Sequence, residues 1–437
     1  MFEKNNSVEQ PDRLIMISLD AMGAKDLELM STLPHMAAFM KKAAICNNVN
    51  SVYPSLTYPA HTSIITGKSP KNHGIINNTL FQPQYENPDW ASNRKFIKGT
   101  TLYDEVIKKG WKVASLLWPV TGKSKIQYNL SEIHANRWWQ DQTVLTALNG
   151  SFKYNLQLLK FMGELKKGIR QPALDNFVQK AALYTIRKYN PNMLLVHFLD
   201  VDLNRHAYGV NHDKVKEAIM RMDLRIGEIL AALESTGDMN KTTVVILGDH
   251  YQKDTHTVVY FNNLLKKKGY LETKGCKIKS YKVIAKNCDG SCYIYLNPKY
   301  KNNAKMTEEV THMFQELQKD STYGIQHIFS SKEVESLGAD DTCVLMIEAK
   351  DGYYYLDETE ALTRRVNEVK KHKMRGTHGY LPTKNDYQTF FMASGCGIHE
   401  GVRINEMTLM DEGVTLAKLL DVNLGKVDGK VIEQLLK

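Results

Sequence analysis

No apolar run in this 437-residue chain approaches the 18 or so residues that a membrane-spanning helix needs. Cysteine is scarce: Cys46, Cys276, Cys288, Cys292, Cys343 and Cys396 are too few and too scattered for a disulfide framework and read as separate reduced thiols. Cys288 and Cys292 have no matching second pair, so a thiolate metal site is not expected. The N-terminal stretch MFEKNNSVEQPDR has no apolar segment of the kind a secretory leader carries. The expectation is therefore a cytoplasmic protein, or a secreted one if a leader has been removed. No internal repeat and no low-complexity linker is present. Two Gly-Lys-Ser triplets, at 67–69 and 122–124, lack the glycine five residues earlier that a phosphate-binding P-loop requires; Thr62 and Leu117 stand there.

Charge of neither sign dominates. Lys+Arg exceed Asp+Glu by 57 − 48 = 9. Part of the excess lies in Lys266-Lys267-Lys268 and in Lys370-Lys371-His372-Lys373. Such clusters read first as solvated surface, and their field favours small anionic substrates. Their density is far below that of a nucleic-acid-binding tail, so no stable nucleic-acid complex is expected.

Apolar residues make up 43% of the chain, enough for a sizeable core. Apolar, β-like runs at 13–19, 112–118, 192–199, 242–248 and 388–394 alternate with helical patterns such as DKVKEAIMRMDLRIGEILAALES after Asn211. That alternation predicts an α/β fold, a mostly parallel sheet sandwiched by helices. The segment 251–375 differs, with short β-like runs (SCYIYLN, CVLMIEA) and one helical stretch (MTEEVTHMFQELQK). It is expected to form a small inserted α/β lobe, the hydrolase core being 1–250 and 376–437.

Six residues, most of them at or just after the ends of apolar runs, form a candidate bimetal site: Asp20, Asp202, His206, Asp249, His250 and His378. Ligand sites of open α/β sheets lie beyond the carboxyl ends of the strands. Taken singly, each is better read as a strand-end, helix-pair or turn residue. Together, as a mixed nitrogen and oxygen set without thiolate, they suit a catalytic zinc pair. Thr57 precedes Tyr58-Pro59 and an amphipathic run, which places its hydroxyl at a helix N-terminus. Phosphate is favoured there, and a hydroxyl held against a metal can attack phosphorus. His61, His73 and His197 fall outside the ligand pattern and are expected to pack or to support it.

These residues carry a resemblance to the alkaline phosphatase superfamily, and within it to the nucleotide pyrophosphatase/phosphodiesterase family. PSLTYPAHTSIITGKSPKNHGIINN resembles that family's nucleophile segment, with Thr57 as nucleophile and Asn78 as the oxyanion-binding asparagine. Asp202-x-x-x-His206, Asp249-His250 and Gly376-x-His378-Gly379 resemble its ligand motifs, in the family's order. The resemblance implies two zinc ions per chain, with Mn²⁺ or another divalent ion as the substitute. One would be held by Asp202, His206 and His378, the other by Asp20, Asp249, His250 and the Thr57 oxygen. It also implies an alkaline-phosphatase-like core with an insertion, Tyr58 stacking on a nucleobase, and a small phosphodiester or nucleotide substrate cleaved through a phosphothreonine intermediate. Phosphonate or phosphomonoester hydrolysis on the same site is the alternative reading, and a non-catalytic anion-binding protein a lesser one. The chain departs from the family pattern at Tyr251, usually glycine, at His197, often tyrosine, and in Trp118-Pro119-Val120-Thr121. These departures are expected to reshape the leaving-group pocket, and Trp138-Trp139 and Tyr353-Tyr354-Tyr355 are further candidates to line it.

Overall fold

The computed structural model describes residues 8–275, 277–359, 361–369 and 373–437. Cys276 and the 370–372 part of the second basic cluster lie outside them. Nine strands form the central sheet: β1 (Arg13–Leu19), β2 (Ala44–Asn50), β3 (Val113–Leu116), β4 (Tyr128–Leu130), β5 (Met193–Phe198), β6 (Thr242–Leu247), β7 (Thr389–Gly395), β8 (Arg403–Ile404) and β9 (Met407–Thr408). Their order is β8-β2-β7-β6-β1-β5-β3-β4, with β9 also on β2. Pairing is parallel throughout except at β7, which runs antiparallel to β2 and β6.

Burial on both faces explains why most of these strands read as predominantly apolar runs. Along β1, Leu14 and Met16 enter one core, and Ile15, Ile17 and Leu19 the other. The first face is covered by helices Thr57–Thr66, Leu102–Lys108 and Leu409–Leu419, the second by Pro34–Lys42, Ala173–Tyr189 and Asp213–Glu234. The fold is thus the expected α/β sandwich with a mostly parallel sheet. Strand β2 escaped the sequence reading because Asn47, Asn48 and Asn50 interrupt its apolar pattern.

Between β6 and β7 the chain builds smaller sheets. Val283–Cys288, Ser291–Leu296, Leu345–Ala349 and Ile325–Ser330 form an antiparallel sheet in that order. Helices Phe261–Lys267 and Ala304–Lys319 contribute to the apolar cluster beneath it. Lys253–Val259 pairs with Gly352–Tyr355, Thr363–Arg365 and Gly376–Thr377. The five described cysteines are buried and free. Among the described residues, no helix is long and apolar enough to cross a membrane.

Candidate active site

Strands β6, β1 and β5 are neighbours, and each delivers ligands from its carboxyl end. Asp20 follows β1, and its backbone N–H donates to the Phe198 carbonyl at the end of β5 (2.9 Å). Asp249-His250 follows β6; Asp249 Oδ1 accepts from the Ala21 N–H (3.1 Å), locking the two strand ends together. After β5 the chain enters helix Asp200–Tyr208, which carries Asp202 in its first turn and His206 in its last. The start of that helix is held from outside: Asp175 accepts from the backbone N–H groups of Leu199 (3.1 Å) and Asp200 (2.9 Å). Arg205, on the same helix, pairs with Asp26 (2.7 Å) and anchors it to the loop after β1. His378 arrives from the far side, in a loop whose Gly379 N–H donates to the Ser55 carbonyl (3.0 Å).

Thr57 is the first residue of helix Thr57–Thr66 and is only 7% exposed. Its Oγ1 lies 3.1 Å from His250 Nε2. The same nitrogen is 3.2 Å from Asp249 Oδ2 and 3.5 Å from Asp20 Oδ1. Four ligand-type atoms therefore face one point at a helix N-terminus. Asn78 Oδ1 accepts from the Tyr58 N–H (2.9 Å). A backbone N–H can only donate, so this bond fixes the amide orientation and leaves the NH2 as a donor in the cavity that Asn78 lines beside Thr57. The neighbouring Asn77 is committed elsewhere, its NH2 bonding the Asn287 carbonyl (2.8 Å) and Cys288 Sγ (3.2 Å).

The second cluster centres on Asp202. His206 Nε2 is 3.3 Å from Asp202 Oδ1, and His378 Nε2 is 3.9 Å from it. His206 Nδ1 lies 2.8 Å from the Gly376 carbonyl, an acceptor only, so Nδ1 carries a proton and Nε2 is the nitrogen turned toward Asp202. Two triplets have ligand atoms within 4.8 Å of one another: Asp20, Asp249 and His250, and Asp202, His250 and His378. His250 thus sits between the two clusters, its ring stacked on His378 (centroids 4.1 Å apart).

The buried charges are arranged for cations. Burial, then Asp202 and Glu132, push the Asp20 carboxyl well above its ordinary range, and burial followed by Asp20 does the same to Asp249. Burial opposes ionisation of Asp202 too, but His206, His378 and His250 outweigh it and hold its carboxyl low. Burial also opposes the charge on His206, yet Asp202 raises that imidazole to about 9. Burial and then His378 hold His250 far below its usual value. Asp20 Oδ1 and Asp249 Oδ2 are buried with no hydrogen-bond partner. Divalent cations would satisfy orphaned donors of this kind and reverse the pressure on the carboxylates. The nitrogen and oxygen set fits zinc. Behind it, His197 Nε2 meets Asp20 Oδ2 (3.2 Å), and His61 bridges the Thr57 carbonyl (2.8 Å) and Ser18 Oγ (2.8 Å), 3.5 Å from Asp249 Oδ2. His73 is remote from this centre and bonds Ser63.

Tyr58 is not where the resemblance implies. It is fully buried, packs edge-on to Trp90 (5.1 Å), and does not line the cavity. Successive helical residues point about 100° apart, so with Thr57 facing the cavity the next side chain enters the core. The family departures also lie behind the walls. Tyr251 packs under Arg205, whose guanidinium carbon is 4.5 Å from the ring centre, in space opened by Gly23. Trp118 packs on His61 (4.9 Å). Tyr354 and Tyr355 are buried, and Trp138 and Trp139 are exposed outside the cavity. The aromatics that do line it include Phe81, Tyr85 and Trp90, the last stacked on His134 (4.0 Å). Glu132 lines it as well, with a buried, unpartnered Oε2. These residues come from loops without periodicity, and nothing in the sequence marked them.

Known proteins resemble this chain in sequence and in fold. A model of the family described as type I phosphodiesterase / nucleotide pyrophosphatase matches residues 14–381. The chain is 23% identical over 265 residues to human ectonucleotide pyrophosphatase/phosphodiesterase family member 1, covering 57% of this chain and 25% of that protein. It is 25% identical over 252 residues to mouse bis(5'-adenosyl)-triphosphatase enpp4, covering 57% of this chain and 49% of that one. The match thus spans a quarter to a half of these curated relatives. Murine ectonucleotide pyrophosphatase/phosphodiesterase 5 shares the fold, with a TM-score of 0.66 and 16% identity over 97% of this chain and all of that one. An inactive threonine-to-alanine form of that protein, in complex with AMP, aligns with the same score. With the family model covering most of the sequence, ligand motifs included, this chain belongs to the type I phosphodiesterase/nucleotide pyrophosphatase family.

Proposed function

We propose that the protein is a two-zinc phosphodiesterase that hydrolyses phosphodiester or phosphoanhydride bonds through a phosphothreonine intermediate. One ion would be held by Asp20, Asp249, His250 and Thr57, the other by Asp202, His378 and an imidazole from His206 or His250. The observation that carries the reading is the convergence of Thr57 Oγ1, His250 Nε2, Asp249 Oδ2 and Asp20 Oδ1 at a helix N-terminus. Bound divalent ions would supply neutralisation of the phosphate and a lowered pKa for the Thr57 hydroxyl and for water.

The chain's own groups do the rest. Thr57 Oγ forms a bond to phosphorus while the ester P–O bond breaks, and the departing oxygen takes a proton from solvent. The Asn78 amide and the backbone N–H of Thr57 donate to the non-bridging oxygens as charge builds on them. Water then attacks the phosphothreonine, the P–O bond to Thr57 breaks, and a phosphomonoester leaves. His61 holds the Thr57 carbonyl, so the first turn of the helix keeps its aim during both displacements. The names of the relatives make nucleotide diesters the first substrates to try.

Residues 50–80 contain no arginine to balance the extra charge of a monoester. With zinc present, kcat/KM for an aryl diester is therefore expected to exceed that for the monoester with the same leaving group by about tenfold or more, about 1.4 kcal/mol in transition-state binding. Equal or reversed values would move the reading to a phosphomonoesterase.

A further inference from the structure

We propose that Gln252 is a positioning residue of the metal centre: its side-chain amide holds the Asp202 carboxylate in the orientation that a divalent cation needs, and without it one of the two cation sites loses affinity selectively. The inference rests on the two-metal reading above and deepens it. Gln252 comes two residues after His250 and is completely buried. Its Nε2 donates to Asp202 Oδ1 and lies 3.4 Å from the Asp202 carbonyl. A carboxylate and a carbonyl can only accept, so the amide orientation follows: the NH2 faces Asp202 and Oε1 points away. Asp202 Oδ1 is also the oxygen that lies 3.3 Å from His206 Nε2 and 3.9 Å from His378 Nε2. A carboxylate turns easily about its last bond. A charge-assisted hydrogen bond from a fixed amide stops that turn.

Residues 251–254 grip helix Asp200–Tyr208 at three levels. Gln252 takes Asp202, in the first turn. Tyr251 packs under Arg205, three residues on and on the same face, with 4.5 Å from guanidinium carbon to ring centre. Asp254 Oδ1 accepts from the N–H of Val210 (2.6 Å), just past the helix end. Of the three, only Gln252 bonds a candidate ligand. The rest of its amide does nothing for the fold. Among the described residues Oε1 has no hydrogen-bond partner, although it is buried. It is pressed toward Gly376, where a Cβ would stand 2.9 Å from it and 2.9 Å from the Arg205 carbonyl. An unpaired buried oxygen is destabilising, and an apolar side chain of the same length would avoid that penalty. The Gly376 carbonyl in turn accepts from His206 Nδ1 (2.8 Å), so the amide stands between Asp202 and the support of His206. A polar group that packing does not call for, aimed at a ligand carboxylate, serves the carboxylate.

Gln252→Met keeps the length of the side chain and removes the donor. Zinc is titrated into the metal-free parent and variant against a chromophoric chelator. The parent should bind two ions. In the variant one dissociation constant should rise about 10–100-fold while the other stays within about threefold of the parent's. The Tm of the metal-free variant should lie within about 2 °C of the parent's, and added zinc should raise it by less than it raises the parent's. Two parental dissociation constants in the variant, whatever its Tm, would make Gln252 a packing residue only; that result overturns the proposal and leaves the two-metal reading standing. An equal loss at both sites does the same, because it reports a general loosening of the helix. A parent that binds fewer than two ions removes the two-metal reading, and the proposal with it.

Discussion

Asn78 makes two separable contributions, and paired substitutions distinguish them. Its Oδ1 accepts the Tyr58 N–H at 2.9 Å. This side chain satisfies a first-turn N–H that the N-cap, Leu56, cannot reach. Its NH2 is assigned to the transferring phosphoryl group. Asn78→Ala removes both, and the lost helix-start bond costs about 1 kcal/mol. In a chain of this size that lowers Tm by roughly 2 °C or less. The lost donor costs about 2.7–4 kcal/mol in the transition state, a 10²–10³-fold fall in kcat. Asn78→Asp keeps an acceptor for Tyr58, and a negative charge at a helix N-terminus gains about 0.3–1 kcal/mol. It replaces the donor by an oxygen that repels phosphate. Its Tm should therefore equal or exceed the parent's while kcat falls at least 10²-fold. Calorimetry and steady-state kinetics on an aryl diester give both numbers. An Asn78→Asp enzyme within about threefold of the parental kcat would show that the side chain only holds the helix, and the oxyanion role would be abandoned.

Thr57→Ala should abolish turnover with little change in Tm, Thr57→Ser should retain partial activity, and acid-quenched parent protein should carry on Thr57, by mass spectrometry, the substrate's phosphoryl group with its remaining ester; a Thr57→Ala protein at the parental rate would mean direct attack by water. Asp249→Asn should weaken one of two ions, because an amide is a poorer ligand than a carboxylate; metal analysis showing fewer than two sites in a fully active, zinc-saturated parent refutes the assignment. His73 is buried and pushed down to about 3 by that burial, and its Nδ1 accepts the Ile75 N–H (3.1 Å). The folded state thus binds fewer protons than the unfolded one, so the stability from neutral His73 is full above its unfolded value of about 6.5 and is lost as pH falls toward 3, on the order of 4–5 kcal/mol in all. Denaturant midpoints against pH should fall more steeply for the parent than for His73→Gln across that window; parallel curves would contradict the argument.

The sheet was legible where both of its faces are buried. Strands β1, β5 and β6 send alternate residues into two cores, so apolar side chains dominate their sequences, with Ser18, His197 and Thr242-Thr243 as the polar exceptions. Strand β2 pairs just as regularly, but its asparagines hide it, and the antiparallel direction of β7 depends on pairing that no local pattern encodes. The candidate ligands stood out only as a set, a carboxylate and imidazole series in the order of the family's motifs, since each alone reads as an ordinary strand-end, helix or turn residue. Adjacency along the chain misled at Tyr58, where one helical step turns a side chain from cavity to core. The sharing of His250 between both clusters, and the places of Trp90 and Glu132, depend on how loops cross over the sheet. Local sequence carries no signal for that.

The loop bearing His378 is fastened on both sides. Its Gly379 N–H and Tyr380 carbonyl bond Ser55, two residues before Thr57, while its His378 and Gly379 carbonyls accept from Gly290 and Ser291 in the 283–296 hairpin. Glu348, from the adjacent strand, accepts from both the Tyr53 hydroxyl and the Leu381 N–H. The approach loop to Thr57 and the last candidate ligand therefore share one buttress, built from chain that is translated after every other candidate ligand. A ribosome-bound chain ending near residue 260 already carries the other five candidate ligands and the nucleophile, yet cannot assemble the centre. Completion of the candidate site is thereby tied to the chain between β6 and β7 and to the loop that follows it. Grafting a foreign insertion at this position would succeed only if it brought its own replacement for the 290, 291 and 348 contacts.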